Sequence, residues 1–181
     1  QYYSTDMAGN AEPVRTVLVM IDTVAPVATV SVEGTEGLDG WVTANAVVTF
    51  EVTDESSGLA MIMYRMDGGE WVELTVLTVP VAGEGSYALG FDAGAVAGPE
   101  GETSTYTVKV DLAAPTTTAT VDGSDVTLVA VDGNGSGVSV TMYRIDGGEW
   151  VVYNGEFEVR GSGDHTLEYY SVDEAGLNET A

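Results

Sequence analysis

An all-β fold, built as β-sandwich domains in tandem, is what this sequence predicts. Three observations predict it. Short runs rich in Val, Thr and Ile alternate with Gly- and Asp-rich turns along the chain. No stretch sustains a helical apolar period flanked by caps. The chain also repeats itself at an interval of about 80–90 residues, the size of one small sandwich.

The repeats define the units. Met63-Tyr64-Arg65-Met66-Asp67-Gly68-Gly69-Glu70-Trp71 returns as Met142-Tyr143-Arg144-Ile145-Asp146-Gly147-Gly148-Glu149-Trp150. Asp22-Thr23-Val24-Ala25-Pro26 returns as Asp111-Leu112-Ala113-Ala114-Pro115. Between these, Val52-Thr53-Asp54-Glu55-Ser56-Ser57-Gly58 parallels Val131-Asp132-Gly133-Asn134-Gly135-Ser136-Gly137. A further match joins the two ends, Tyr2-Tyr3-Ser4-Thr5-Asp6-Met7-Ala8-Gly9-Asn10 with Tyr169-Tyr170-Ser171-Val172-Asp173-Glu174-Ala175-Gly176-Leu177. Asp-x-x-Ala-Pro is the natural seam, because proline fixes φ and lacks an N–H, which suits the start of an edge strand after a linker. The chain divides accordingly into residues 1–22, the terminal strands of a preceding repeat or a donor strand; 23–110, a first sandwich; and 111–181, a second sandwich that lacks its last strand.

Taken in order, residues 14–21, 28–32, 47–52, 105–110, 126–131 and 138–143 carry the strand signal. Tyr106-Thr107-Val108-Lys109-Val110 alternates with period two, so one face enters a core. Asp67-Gly68-Gly69 and Asp146-Gly147-Gly148 stand between strand-like runs, and glycine's tolerance of positive φ makes each a hairpin turn. The composition, 44% hydrophobic over 181 residues, suffices for a packed core in each of two small sandwiches.

These motifs resemble a bacterial and archaeal Ig-like repeat of the Big type, found in secreted and cell-surface proteins. Its pattern runs Asp-x-x-x-Pro, Asp-x-x-Ser-Gly, Tyr-Arg-x-Asp-Gly-Gly-x-Trp, then an aromatic-Ser-x-Asp-x-Ala-Gly-Asn-x-Glu segment. The second unit carries nearly all of it, through Tyr153-Asn154-Gly155-Glu156-Phe157 and Gly163-Asp164-His165-Thr166. The first unit departs after Trp71, with Gly90-Phe91-Asp92-Ala93-Gly94 in place of the Tyr-Tyr-Ser-x-Asp pattern. The resemblance implies tandem Ig-like sandwiches, an extracellular or cell-surface location, and a spacer, stalk, adhesin, filament or surface-layer role.

Charge excludes several partners. With 29 acidic and 5 basic side chains the net charge is −24, which repels nucleic-acid phosphates and anionic lipid headgroups. Calcium is the cofactor that such a surface suits, and high salt would screen its self-repulsion. No run of apolar residues is long enough to insert in a membrane as a helix. The chain has no cysteine, so thiol catalysis and cysteine-ligated metals are out. It begins at Gln1 rather than Met, as a processed product or an excised part would.

Candidate metal-ligating oxygens come from two equivalent loops and the two seams: Asp22, Asp54, Glu55, Asp111, Asp132 and Asn134. Asp6 and Asn10, and Asp173 and Asn178, are further donors. Such residues also make local turn hydrogen bonds. Trp41, Trp71 and Trp150 either pack at hairpins or stack on a sugar, the latter being the signature of a carbohydrate-binding or adhesive accessory module. Asn134 and Asn178 open Asn-x-Ser/Thr sequons, which are glycosylation candidates on a secreted chain. His165 is the sole histidine, no Ser-His pair or phosphate loop is present, and no enzyme is expected.

The ends complete the expectation. The first unit closes with a strand at residues 105–110 running into Asp111, and the second has no counterpart to it. At the front, residues 14–21 form a spare strand of that type running into Asp22. Val14, Val17, Val19 and Ile21 are the donor-strand candidates that would complete another copy, or another repeat of the same chain, by strand addition.

Overall fold

A computed structural model describes every residue except Glu100 and Ala181. It is all-β, as the sequence leads one to expect. The strands are β1 (Val27–Glu33), β2 (Trp41–Val42), β3 (Ala46–Thr53), β4 (Leu59–Met66), β5 (Val72–Glu73), β6 (Thr78–Val81), β7 (Gly85–Ala95) and β8 (Ser104–Val110). After the seam come β9 (Thr116–Asp122), β10 (Asp125–Val131), β11 (Val138–Ile145), β12 (Val151–Val152), β13 (Phe157–Glu158) and β14 (Leu167–Asp173). The N-terminal sandwich faces a sheet of order β1-β3-β6 against one of order β2-β8-β7-β4-β5. The C-terminal sandwich faces β13-β10-β9 against β12-β11-β14.

Alternation along β3 explains why the first sandwich closes. Ala46, Val48 and Phe50 point inward and are all but fully buried, while their neighbours face outward. They meet Val79 and Val81 of β6, Leu89 and Phe91 of β7, and Val108 and Val110 of β8. Phe50 and Phe91 pack edge to face with centroids 5.5 Å apart. The second core is leaner. Val126 and Leu128 of β10 are buried, and Phe157 stacks on Tyr143 at 3.9 Å. Tyr153 then closes the site by accepting the Leu128 N–H at 3.1 Å.

Both hairpin triplets are tight turns of the type that matches strand twist. Asp67 and Gly68 have φ of 50° and 72°, Asp146 and Gly147 52° and 69°, as a type I′ turn requires at both central residues. Each aspartate also reaches across to the next strand, Asp67 Oδ1 accepting the Ala88 N–H and Asp146 Oδ1 the Thr166 N–H, both at 2.8 Å.

One expected strand is absent as a ladder. Residues 14–21 form no strand, and among them only Arg15 is bridged, to Tyr2. Strand propensity without a neighbouring edge leaves the backbone unpaired and the side chains in water. Val17, Val19 and Ile21 are 58%, 72% and 84% exposed. The preceding residues fold back on themselves around Asp6, whose Oδ1 accepts the Ala8 and Asn10 N–H groups. The backbone bonds of this hairpin repeat those at the end of the second sandwich. Glu12 N–H donates to Ser4 and Glu179 N–H to Ser171, and the Thr5–Ala11 bridge matches Val172–Asn178.

Candidate functional site

The seam is where the two sandwiches share residues. Asp111 directly follows β8 and is fully buried. Its backbone N–H donates to the Val42 carbonyl of β2 at 2.9 Å, which ties it to the N-terminal sandwich. Its carboxylate serves the other one: Oδ2 accepts the Ser136 N–H at 2.7 Å. A second contact lies alongside, where Leu38 N–H donates to the Ala175 carbonyl at 2.9 Å. The backbones approach so closely there that a Cβ on Gly37 would sit 2.8 Å from the Ala175 oxygen, so only glycine fits.

Three carboxylates converge at this seam. The loop after β10 turns back through Gly137 N–H, which donates to Asp132 Oδ2 at 2.6 Å, and this lays Asp132 beside Asp111. A Cβ on Gly135 would lie 2.8 Å from both Asp111 Oδ1 and Asp132 Oδ2. Asp173 arrives from the last position of β14. Its Oδ1 accepts the Leu177 N–H at 2.7 Å, whereas its Oδ2 is buried without any partner. One oxygen from each of Asp111, Asp132 and Asp173 falls within 4.8 Å of the other two.

Like charges at that spacing are costly. At an effective dielectric constant of about 20, two unit charges 4.8 Å apart repel by roughly 3 kcal/mol. Asp132 and Asp173 respond as expected. Loss of solvent holds both above the usual carboxylate range, and the charge of Asp111 pushes in the same direction.

The first seam uses the same devices with one substitution. Asp22 Oδ2 accepts the Ser57 N–H at 3.2 Å, and Asp54 Oδ1 accepts the Gly58 N–H at 2.7 Å. Hydrogen bonds from Ser57 keep the Asp22 carboxyl below its ordinary value. Val96 N–H donates to the Gly58 carbonyl as Glu174 N–H does to that of Gly137. The registers Leu59–Ala95 and Val138–Asp173 then place Ala95 where the second sandwich has Asp173. Two carboxylates stand at the first seam and three at the second.

Of the predicted oxygen donors, the structure brings together Asp111 and Asp132. Asp22 and Asp54 accept consecutive N–H groups of the earlier loop, from Ser57 and Gly58, and Glu55 and Asn134 are exposed. Asp173, expected only as one of the further donors, is the third member of the group, and strand register brings it to the seam. Asn178 is likewise exposed, so both sequons present their asparagines to solvent. All three tryptophans are half-buried, and a cation covers a face of each. Arg65 lies 4.6 Å over Trp71, Arg144 4.6 Å over Trp150 and Lys109 5.6 Å over Trp41. His165 Nδ1 pairs with Asp146 at 2.7 Å across the hairpin turn.

A cleft of about 390 Å³ opens in the second sandwich between Val126, Ile145, Val159, Gly163, His165 and Leu167. Its position follows from the register. In the first sandwich Val108 and Val110 of β8 lie opposite Tyr87 and Gly85 of β7 and are buried. Leu89 pairs with Met66 as Leu167 pairs with Ile145, which sets His165 and Gly163 in the places of Tyr87 and Gly85. Among the described residues no strand lies against that edge, and β14 begins only at Leu167.

No family model matches the chain, and no curated protein matches it. Among solved structures it is similar to the fibronectin(III)-like modules of Clostridium thermocellum CbhA. The identity is 16%, the match covers 84% of this chain and 90% of that one, and the TM-score is 0.38.

Proposed function

We propose that the chain is a non-catalytic structural element of an extracellular surface protein, of the Ig-like repeat type its motifs resemble. Its sandwiches stand end to end in a linear array, each completed by a strand of the kind formed by residues 14–21. One observation carries the reading: what is open at one end is what is spare at the other. Ile21 precedes Asp22 as Val110 precedes Asp111, so Val19 and Ile21 take the places of Val108 and Val110. Laid along residues 163–167, they would fill the cleft beside Leu167. The strand comes from polypeptide that follows in a longer chain or from a second copy. From a second copy it gives a head-to-tail contact, which does not close and so propagates; from following polypeptide it completes the sandwich within one tandem chain.

The seam supports the same reading. Asp111 belongs to both sandwiches and leaves no slack between them, as a rod needs and a flexible linker does not. The acidic surface keeps neighbouring arrays apart and repels phosphate-bearing partners. The rival reading, an accessory module that binds carbohydrate through tryptophan, is disfavoured by the guanidinium groups already lying on Trp71 and Trp150. Electron microscopy of the purified protein, with and without residues 1–22, tests the proposal. The reading requires linear particles, or a C-terminal sandwich that a peptide of residues 13–22 stabilises. Single, compact molecules indifferent to both the deletion and the peptide would refute it.

A further inference from the structure

The geometry points to a calcium-binding site at the second seam, formed by the carboxylates of Asp111, Asp132 and Asp173 and absent from the first seam. Two independent features support it. The three carboxylates converge to within 4.8 Å although Asp111 and Asp173 are essentially shut off from solvent. Three ionised carboxylates at this spacing repel one another, and a bound cation relieves that repulsion without their taking up protons. Separately, Asp173 is only 1% exposed, yet its Oδ2 has no hydrogen-bond donor. A buried carboxylate oxygen without a donor is expensive, and a cation satisfies it.

The chemistry of the donors selects the metal. All are carboxylate oxygens, without histidine or thiolate, which favours a hard cation over zinc or copper. Calcium accepts irregular shells of about six to eight oxygens, and bidentate carboxylates and nearby backbone carbonyls extend a set of three. Magnesium demands near-octahedral geometry and keeps its waters, which suits an enclosed seam poorly. Glu84 of the first sandwich reaches the same loop, its Oε2 lying 3.8 Å from where a Cβ on Gly133 would stand. The ion would join the strand leaving one sandwich to a loop and a strand end of the next, and so lock their relative orientation.

Ala95 supplies an internal control. The first seam keeps the counterparts of Asp111 and Asp132, and its Asp54 Oδ2 is also buried without a partner, but a methyl group replaces the third carboxylate, so a second strong site is not expected.

The test is calorimetric titration of the full chain, stripped with chelator, with calcium chloride in 0.15 M sodium chloride, a salt level chosen to screen diffuse attraction. One saturable site is expected. Asp173→Asn, which keeps the shape and the Oδ1 acceptor, should weaken binding by at least about 100-fold, because ligand charge sets affinity over several decades. Its calcium-free melting temperature should equal or exceed that of the wild type, which shows that the variant folds. Ala95→Asp should add a second site. Absence of saturable binding by the wild type, or binding that survives both Asp173→Asn and Asp111→Asn unchanged, would overturn the proposal.

Discussion

Truncating the same leucine in the two sandwiches should expose the open edge as a difference in stability. Leu89 is fully buried, pressed between β3, β6 and β8 side chains. Leu89→Ala removes buried carbons and leaves a void that the surrounding core cannot fill, so its cost belongs in the upper part of the Leu→Ala range, about 3–5 kcal/mol. Leu167 holds the equivalent position but is half-buried and lines the 390 Å³ cleft. Leu167→Ala creates no new enclosed void, only an enlargement of one already open. What remains is part of the transfer term, about 1–2 kcal/mol. The two sandwiches should be followed separately in urea by the fluorescence of Trp71 and Trp150, with the other tryptophans replaced by phenylalanine. The gap between the variants should shrink once a peptide of residues 13–22 is added in excess, because the peptide encloses Leu167. Equal costs without peptide would show that the edge is not open in solution, and the reasoning about register would fail.

Three further outcomes follow. The folded-state pKa values of Asp132 and Asp173 are raised, so their contribution is most favourable at acid pH and is lost as pH rises through those values. In calcium-free buffer the second sandwich should therefore melt at lower temperature as pH climbs from 4 toward neutrality, a trend that Asp173→Asn should flatten. Thr117→Val should cost about 1–3 kcal/mol, because the buried Thr117 hydroxyl meets both Ser171 Oγ at 2.7 Å and the Glu179 carboxylate. Circular dichroism melts would measure it, and a cost near zero would deny that network a role. Asp146→Ala should destabilise the second hairpin by about 1–3 kcal/mol, through the lost Thr166 contact and the left-handed backbone, and Asp146→Gly by less.

Much of the fold was legible because its signals are local. Alternation in residues 47–52 and 105–110 marks β3 and β8, and Asp-Gly-Gly specifies turns whose φ values only a few residues tolerate. Residues 14–21 carry the same local signal and still form no ladder, since a strand needs an edge and the sequence does not say where one is. The seam was half legible. Asp22 and Asp111 stand out through the repeated Asp-x-x-Ala-Pro, and Asp54 and Asp132 through the loop that recurs. Asp173 could not be joined to them from spacing, because it reaches Asp111 through the pairing of β14 with β11. Comparison of the two repeats held a clue, shifted by one residue: the sequence sets residues 90–94 against Tyr-Tyr-Ser-x-Asp, whereas the register puts Ala95 in the place of Asp173.

The double attachment of Asp111 also sets a geometry beyond the pair of sandwiches it joins. A seam held from both sides at Asp111 favours one rotation from one unit to the next, and a fixed rotation repeated along a line is a screw. If the units repeat in line as proposed, such joints give the array a definite hand and pitch. Inserting one residue after Asp111 would then change the phase of every following unit, whereas the same insertion in the loop before β8 would change none.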